Sequence, residues 1–98
     1  MDVDLIIKAL ANPVRRDILA WLKTPEVYFP DQALPLSFGV CAGQIDQRAG
    51  LSQSTISTHL AVLQRAGLIN AQKIGQWHFF KRDDLLIQAF LTEMQQRL

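Results

Sequence analysis

Residues 41–67 read CAGQIDQRAGLSQSTISTHLAVLQRAG and contain two helical patterns separated by a short turn. Apolar residues recur three or four positions apart on both sides of the turn, which is the spacing of helices that bury one face. Ser52 is a suitable N-cap for the second helix, and Gly67 stands where helix C-termini favour glycine. The apolar positions are Ile45 and Ala49 in the first helix and Ile56, Leu60 and Leu63 in the second.

The opposite face of the second helix carries small polar side chains. A helix with Ile56 at the centre of its buried face points Gln53, Ser54, Ser57, Thr58, Ala61 and Arg65 outward. Its first three turns carry neither Lys nor Glu, whereas a helix that only faces solvent usually carries both. Gln pairs with adenine, and Ser and Thr bond to bases or phosphates, so this face favours a helix that enters the DNA major groove. The unit is then a helix-turn-helix with a recognition helix.

A hairpin is predicted directly after this unit. Residues 68–71 and 77–81 favour β-structure and flank a Gly-containing tip. Lys73, Gln76, Lys81 and Arg82 cluster around that tip, where they can lie along a phosphate backbone; alternatively, Lys81 and Arg82 simply flank a strand end. The three aromatic residues of the second strand, Trp77, Phe79 and Phe80, are interpreted as packing residues.

The rest of the chain is mostly helical. Helices are predicted at about 2–11 and 13–23, separated by the break at Pro13, and from Asp83 to the C-terminus. Segment 24–40 contains three prolines and lacks helical spacing, and its last five residues are expected to be extended as a short strand. The overall prediction is one mainly α winged helix-turn-helix domain, residues 1–98, with about five helices and a two- or three-stranded wing.

Charge is distributed unevenly along the 98 residues. Residues 41–82 carry five basic and one acidic side chain, a net charge of +4, and the flanks together carry −3. A positively charged middle is typical of a segment that faces a polyanion, although a solvated face without a partner has the same composition. A single Cys, acidic residues near the N-terminus and the lack of a long apolar run predict a cytoplasmic protein that does not cross a membrane.

The terminal segments, residues 1–23 and 83–98, carry more apolar surface than a helix-turn-helix and a hairpin can cover. A symmetric homodimer is the simplest use of this surface, because the same patch then meets itself and presents two recognition helices about 34 Å apart. The alternative is an intramolecular core. The predicted interface residues are Val3, Ile6, Leu10, Leu86, Phe90 and Met94.

Three motifs carry a resemblance to a known family. Residues 51–69, LSQSTISTHLAVLQRAGLI, resemble the recognition-helix signature of the ArsR-type (arsenical-resistance repressor) winged-helix regulators. Residues 9–19, ALANPVRRDIL, are similar to the family's N-terminal motif, and residues 73–80, KIGQWHFF, to its wing. The resemblance leaves out segment 24–40. It implies a homodimeric repressor that releases a palindromic operator on binding an inducer, with the major groove facing Gln53, Ser54, Ser57 and Thr58.

The sensing residues depart from the family pattern. Metal-responsive members carry a cysteine pair where this chain has Cys41 alone, and others use histidines on a last helix that here has none. Zinc sites want about four N or S ligands, and His59 and His78 lie on different elements without metal-ligand spacing. We therefore expect no metal and no cofactor. Cys41 is a candidate redox switch or an inert buried thiol, and segment 24–40 is another candidate site for a small-molecule inducer.

The sequence thus predicts a transcriptional repressor that binds double-stranded DNA as a homodimer. Base contacts are assigned to Gln53, Ser54, Ser57 and Thr58, and backbone contacts to Arg65, Lys73 and Gln76. The alternative is a winged-helix interaction module that dimerises without binding DNA. An enzyme is disfavoured, because no His, Cys, Ser or carboxylate group has catalytic spacing.

Overall fold

The computed structural model describes residues 1–98 and contains six α-helices and a three-stranded antiparallel sheet. The sheet order is β1-β3-β2, so both outer strands pair with β3. The predicted winged helix-turn-helix architecture is confirmed. The helices are α1 (Val3–Leu10), α2 (Pro13–Lys23), α3 (Pro25–Tyr28), α4 (Ala42–Ala49), α5 (Gln53–Arg65) and α6 (Asp84–Arg97), and the strands are β1 (Val40–Cys41), β2 (Ile69–Ile74) and β3 (Trp77–Arg82).

Segment 24–40 differs from its prediction in two ways. It contains a sixth helix, the single turn α3, which begins with Pro25 at its first position because proline is compatible with a helix start. The strand expected within 36–40 is limited to β1. Residues Leu36–Phe38 form a 3-10 turn instead, since Pro35 favours a turn and its carbonyl accepts a hydrogen bond from the Phe38 N–H at 3.0 Å.

Side-chain N-caps define where α1, α2, α5 and α6 begin. In each case a short polar side chain accepts a hydrogen bond from a backbone N–H three residues further on, which satisfies a donor that the helix itself leaves free. The N-caps predicted at Ser52 and Asp83 are confirmed. The capping pairs are Asp2 with Leu5, Asn12 with Arg15, Ser52 with Thr55 and Asp83 with Leu86, at 3.0 to 3.2 Å.

The end of α5 is a Schellman motif centred on Gly67. The Gly67 N–H bonds to the Gln64 carbonyl and the Leu68 N–H to the Leu63 carbonyl, both at 3.0 Å. Gly67 has a φ of 82°, and a Cβ there would lie 2.7 Å from Cδ1 of Leu86. Only glycine meets both conditions without strain, so the chain turns sharply from α5 into the wing.

One hydrophobic core joins the helices to one face of the sheet. The core includes four fully buried side chains, Ile18 from α2, Ile45 from α4, and Ile56 and Leu63 from α5, and it also includes Phe80 from β3. Because successive strand residues point to opposite faces, Phe79 lies on the other face, where it packs edge-on against Phe38 at 5.7 Å between ring centroids. The sheet is therefore covered on both faces around these two phenylalanines.

The N-terminal corner is held by two arginines. Arg15 donates from Nε to the Ala9 carbonyl at 2.6 Å and from Nη2 to the Lys8 carbonyl at 3.1 Å, and Arg16 donates to the Leu10 carbonyl at 2.7 Å. These bonds satisfy the Ala9 and Leu10 carbonyls, which the end of α1 leaves without a backbone partner, and add a second donor to the Lys8 carbonyl, which also accepts from the Ala11 N–H at 3.2 Å. No helix of the chain combines the length and the apolar character needed to cross a bilayer.

Candidate nucleic-acid interface

The outward face of α5 carries the side chains that the sequence assigns to base contacts. Gln53, Ser54, Ser57, Thr58 and Arg65 are all exposed, as are Thr55, Ala61 and Gln64. The buried face is formed by Ile56, Leu60 and Leu63 as predicted. The helix therefore presents a polar surface of short side chains, with one positive charge in its last turn.

Hydrogen bonding within α5 divides these side chains into two groups. The Thr58 hydroxyl donates to the Ser54 carbonyl at 3.0 Å, and the Ser54 hydroxyl lies 3.3 Å from that of the N-cap Ser52. Gln53 and Ser57 make no side-chain hydrogen bond within the chain. Their full hydrogen-bonding capacity is available to a partner, whereas Thr58 offers mainly its methyl group and its oxygen lone pairs.

A cleft of about 340 Å³ separates α5 from strand β3 of the wing. The helix side of this cleft includes Gln53, Ser57 and Gln64, and the strand side is formed by His78 and Phe80. Gln64 and His78 also belong to this surface and were not among the residues predicted from the sequence. Gln64 continues the helical spacing from Gln53 and Ser57 and was detectable from that spacing, but only the folded chain brings His78 opposite α5.

The wing is a tight hairpin with its basic residues near the tip. Strands β2 and β3 pair from Ile69–Arg82 to Ile74–Trp77, which leaves Gly75 and Gln76 as a two-residue turn. Gly75 has a φ of 62°, and no non-glycine residue has a positive φ, so the turn has the glycine-first pattern of type II′ hairpins. Lys73 and Gln76 are exposed, and Lys73 makes no salt bridge.

Arg82 has a different role from the other wing cations. Its Nη1 donates to the Leu19 carbonyl at 3.3 Å, and its Nε pairs with Asp84 at 3.1 Å. Arg82 thus ties the end of β3 to α2 and to the start of α6, as expected if it only flanks a strand end. Lys73 and Lys81 are the exposed lysines of the wing.

His59 lies within α5, and Cys41 lies at the start of α4. Burial, and secondly the charge of Arg15, lower the pKa of His59 below its usual 6.5.

Cys41 is a free, half-buried thiol at the N-cap position of α4, and its backbone N–H bonds to Oε1 of Gln32 at 2.8 Å. His78 is exposed, as expected, and it lies on the same face of the sheet as Phe80, opposite α5. The chain brings together no group of three or more His, Cys, Asp or Glu side chains suited to a metal ion.

All six residues predicted for the dimer interface are buried or partly buried within the protomer. Ile6 is fully buried and Phe90 is 8% exposed, and both belong to the core. Ile6 has no exposed surface to offer a second chain and Phe90 has very little, so the structure places both in the protomer core rather than at a dimer interface. The other four, Val3, Leu10, Leu86 and Met94, are partly buried against the same core. Apolar side chains of α1 and α6 that remain exposed are Leu5, Ile7, Leu85 and Leu91.

Comparison with known proteins agrees with this geometry. The family model described as "Bacterial regulatory protein, arsR family" matches residues 40–71, from β1 through α5 into β2. The uncharacterized HTH-type transcriptional regulator YbzH of Bacillus subtilis is 43% identical over 81 residues, covering 81% of either chain. The transcriptional activator HlyU of Vibrio cholerae is 33% identical over 94 residues, covering 96% of this chain and 74% of HlyU.

Solved structures extend the similarity to the fold. HlyU from Vibrio cholerae superimposes with a TM-score of 0.66 at 30% identity, covering 94% of this chain and 86% of that structure. The homodimeric winged helix-turn-helix DNA-binding domain of Mb0332 from Mycobacterium bovis gives a TM-score of 0.64 at 23% identity, covering 98% and 83%. The two sequence relatives are named as transcriptional regulators and not as enzymes.

Proposed function

The chain belongs to the ArsR family of winged helix-turn-helix transcriptional regulators, and from this premise we propose that it is a homodimeric repressor that binds a palindromic operator. DNA-binding regulation is the activity of the family. The repressor role, the dimer, the form of the operator and the inducer are the parts that we add.

The outward face of α5 is the observation that carries the DNA-contact proposal. Its exposed Gln53 and Ser57 have no partner within the chain, and its short side chains allow the helix axis to come close to base edges. Thr58 and Ser54 lie on the same face and add a methyl group and hydroxyl oxygens. We assign base contacts to these four residues.

Backbone contacts are assigned to Arg65, Lys73 and Gln76. Arg65 ends α5, and Lys73 and Gln76 stand at the tip of a hairpin that projects beyond the core. Each phosphate that a cation neutralises releases condensed counterions, so these contacts add affinity without sequence preference. Arg82 is left out because its guanidinium already binds within the chain.

The dimer proposal rests on α1 and α6. Four large apolar side chains remain exposed on these two helices, and a symmetric contact removes part of this apolar surface from water. We assign this interface to the exposed side chains in place of Ile6 and Phe90. The exposed residues are Leu5, Ile7, Leu85 and Leu91, and the partly buried residues beneath them are Val3, Leu10, Leu86 and Met94. The homodimeric Mb0332 domain has the same fold.

The inducer is proposed to be something other than a metal ion. Cys41 has no second thiol on its own chain, and the His and carboxylate side chains do not converge on any site with three or more of them. A small molecule bound beside segment 24–40, or oxidation of Cys41, is the kind of signal that we propose instead.

Titration of a duplex from the promoter upstream of the encoding gene tests the proposal. The protein is titrated at two salt concentrations, and a saturable shift that weakens steeply with salt is expected. A matched reporter strain then gives the sign, because a repressor lowers and an activator raises expression. A dimer that gives no salt-sensitive shift with this duplex would contradict the proposal and favour the interaction module.

A further inference from the structure

One face of the wing sheet packs against segment 24–40 and has no part in the proposed DNA contacts. Trp77 and Phe79 point to this face, opposite to His78 and Phe80. Segment 24–40 covers it, with Phe38 packed on Phe79. Phe79 is fully buried, whereas Trp77, two residues nearer the wing tip, is still 49% exposed. Segment 24–40 therefore buries Phe79 completely but leaves Trp77 half exposed.

A cavity of about 320 Å³ lies where the cover ends. Segment 24–40 provides one wall, the first turns of α4 provide another, and Trp77 closes the side toward the wing. Its volume is at the lower end of the range of small-molecule sites, about 300–1,000 Å³. The lining residues are Gln32, Ala33, Leu34, Cys41, Gly43, Gln44, Gln47 and Trp77.

One wall of this cavity is held rigidly by Gln32. Its Nε2 donates to the Leu34 and Gly39 carbonyls, both at 3.0 Å, and its Oε1 accepts from the Cys41 N–H at 2.8 Å. All three bonds tie segment 24–40 to itself and to the start of α4. A site that is preformed in this way needs little ordering when a ligand enters.

The chemistry of the lining restricts the ligand. No Lys, Arg, His, Asp or Glu lines the cavity, so a charged ligand would lose its hydration without meeting an opposite charge. The side-chain amides of Gln44 and Gln47 make no hydrogen bond within the chain and can donate to or accept from a ligand. The half-exposed indole of Trp77 offers an apolar face for an aromatic ring.

We propose that this cavity binds a small uncharged aromatic molecule that carries a hydrogen-bonding group. The ring lies against Trp77 and Leu34, and its polar group bonds to the amides of Gln44 and Gln47. The terminal helices contribute nothing to the lining, so the proposed dimer leaves the site open.

A ligand in this position bridges the helix-turn-helix and the wing. Gln44 and Gln47 belong to α4, which packs on α5 and on β3, and Trp77 is the first residue after the wing turn. Binding therefore restricts the motion of the wing relative to α5. This motion determines how the two surfaces that we assign to DNA contact are positioned relative to each other. This regulatory consequence rests on the proposed function, whereas the binding itself does not.

Fluorescence titration with N-phenyl-1-naphthylamine tests the binding. This probe is uncharged and aromatic and carries one N–H donor; its sulfonated analogue, 8-anilinonaphthalene-1-sulfonate, has the same ring system and a negative charge. Saturable binding of the neutral probe is expected, with at least about tenfold weaker binding of the anion because the lining holds no cation. Absence of saturable binding, or equal binding of both probes, would overturn the proposal.

A larger side chain at Gly43, which lines the cavity, tests the site by substitution. A Cβ at Gly43 meets nothing within 4 Å, and its φ is not positive. Gly43→Leu is expected to weaken probe binding at least about tenfold by occupying the space, whereas Gly43→Ala adds one methyl group and is expected to retain binding. Thermal unfolding checks that both variants are folded. Wild-type affinity in a folded Gly43→Leu protein would overturn the proposal.

The position of the probe is checked without any substitution. In ¹⁵N-labelled protein, the side-chain amide signals of Gln44 and Gln47 and the indole signal of Trp77 are expected to shift on titration, and the indole signal of Trp21 is expected to stay. Shifts confined to α1 and α6 would show that the probe covers the apolar terminal helices, which contradicts the proposal.

The link to DNA is measured separately. Saturation with the probe is expected to change the affinity for the promoter duplex at least about fivefold, and the duplex to change probe affinity by the same factor. A protein that binds the probe but does not bind the duplex even without the probe would contradict the proposed function alone. DNA binding that the probe leaves unchanged would overturn the regulatory part of this inference.

Discussion

Arg15 donates from Nη1 to Nδ1 of His59 across 3.3 Å, which joins α2 to the outward-facing helix α5. Arginine has no acceptor, so Nδ1 of His59 must accept, and the imidazole is neutral with its proton on Nε2. The same Arg15 holds the Ala9 and Lys8 carbonyls at the end of α1. One guanidinium therefore connects the proposed dimer helices to the proposed DNA-contact helix.

Stability is expected to fall in mild acid through His59. Its pKa is lower in the folded chain than the unfolded value of 6.5, so the unfolded state takes up the proton first. The contribution of neutral His59 is complete above pH 6.5 and is lost as the pH falls from 6.5 toward the folded pKa. Thermal unfolding between pH 8 and pH 5 measures this loss.

His59→Asn is the control for this prediction. Asn places an acceptor oxygen near the position of Nδ1 but does not titrate, so its stability should vary less over the same interval. Burial raises the pKa of Asp46 above 3.8, which acts in the opposite direction in acid, and both proteins retain Asp46. An equal pH dependence of the two proteins would rule out His59 as the cause.

Gln53→Ala is expected to relax sequence preference at one operator position. A bidentate amide contact to adenine contributes about 1–3 kcal/mol of discrimination, and the substitution leaves the core intact because Gln53 is exposed. Thr58→Ala should alter preference as well, through loss of its methyl contact. Affinities for a set of single-base operator variants measure both effects, and a uniform loss across the whole set would contradict the base-contact roles.

Lys73→Ala is expected to weaken binding to all duplexes about equally. Loss of one phosphate contact reduces the salt slope of log affinity by about one unit. Lys23→Ala removes the same charge at the end of α2 and serves as the control. The prediction fails if the two substitutions change the slope equally.

Leu91→Glu is expected to dissociate the dimer without unfolding the protomer. Leu91 is 52% exposed on α6, so the carboxylate remains hydrated in a monomer but is desolvated in the proposed interface. Val27→Glu is the matched control, since Val27 is 65% exposed on α3, outside the terminal helices. Sedimentation equilibrium gives the oligomeric state, and a Leu91→Glu protein that stays dimeric would locate the interface elsewhere.

Ile6→Ala tests the corrected role of Ile6. This side chain is fully buried in the protomer core, so truncation is expected to cost about 2–5 kcal/mol of unfolding free energy. Denaturant unfolding at several protein concentrations measures the cost. A loss confined to the dimerisation equilibrium would return Ile6 to the interface.

Local chemistry made much of the fold predictable. The Ser52 and Asp83 caps, the break at Pro13 and the end of α5 at Gly67 depend on residues within a few positions of one another. The exposed face of α5 follows from helical spacing alone, once Ile56 is placed inward. These features are short-range, so a linear pattern contains the necessary information.

Segment 24–40 and the terminal helices were harder to predict, because their structure depends on distant partners. A stripe of apolar residues shows that α1 and α6 bury surface, but not whether the surface meets the same chain or another one. Ile6 and Phe90 illustrate this, since both were assigned to a dimer interface and both lie inside the protomer.

The linear order of residues by itself determined the helix-turn-helix, the wing and the polar face of α5, because caps, turns and periodicity act over a few residues. Tertiary structure alone decided that Arg82 binds Leu19 rather than facing solvent, that His78 lies opposite α5, and that segment 24–40 leaves a cavity beside Trp77. These relationships join residues far apart in the chain, and they exist only once packing of the common core has set the distances between the elements.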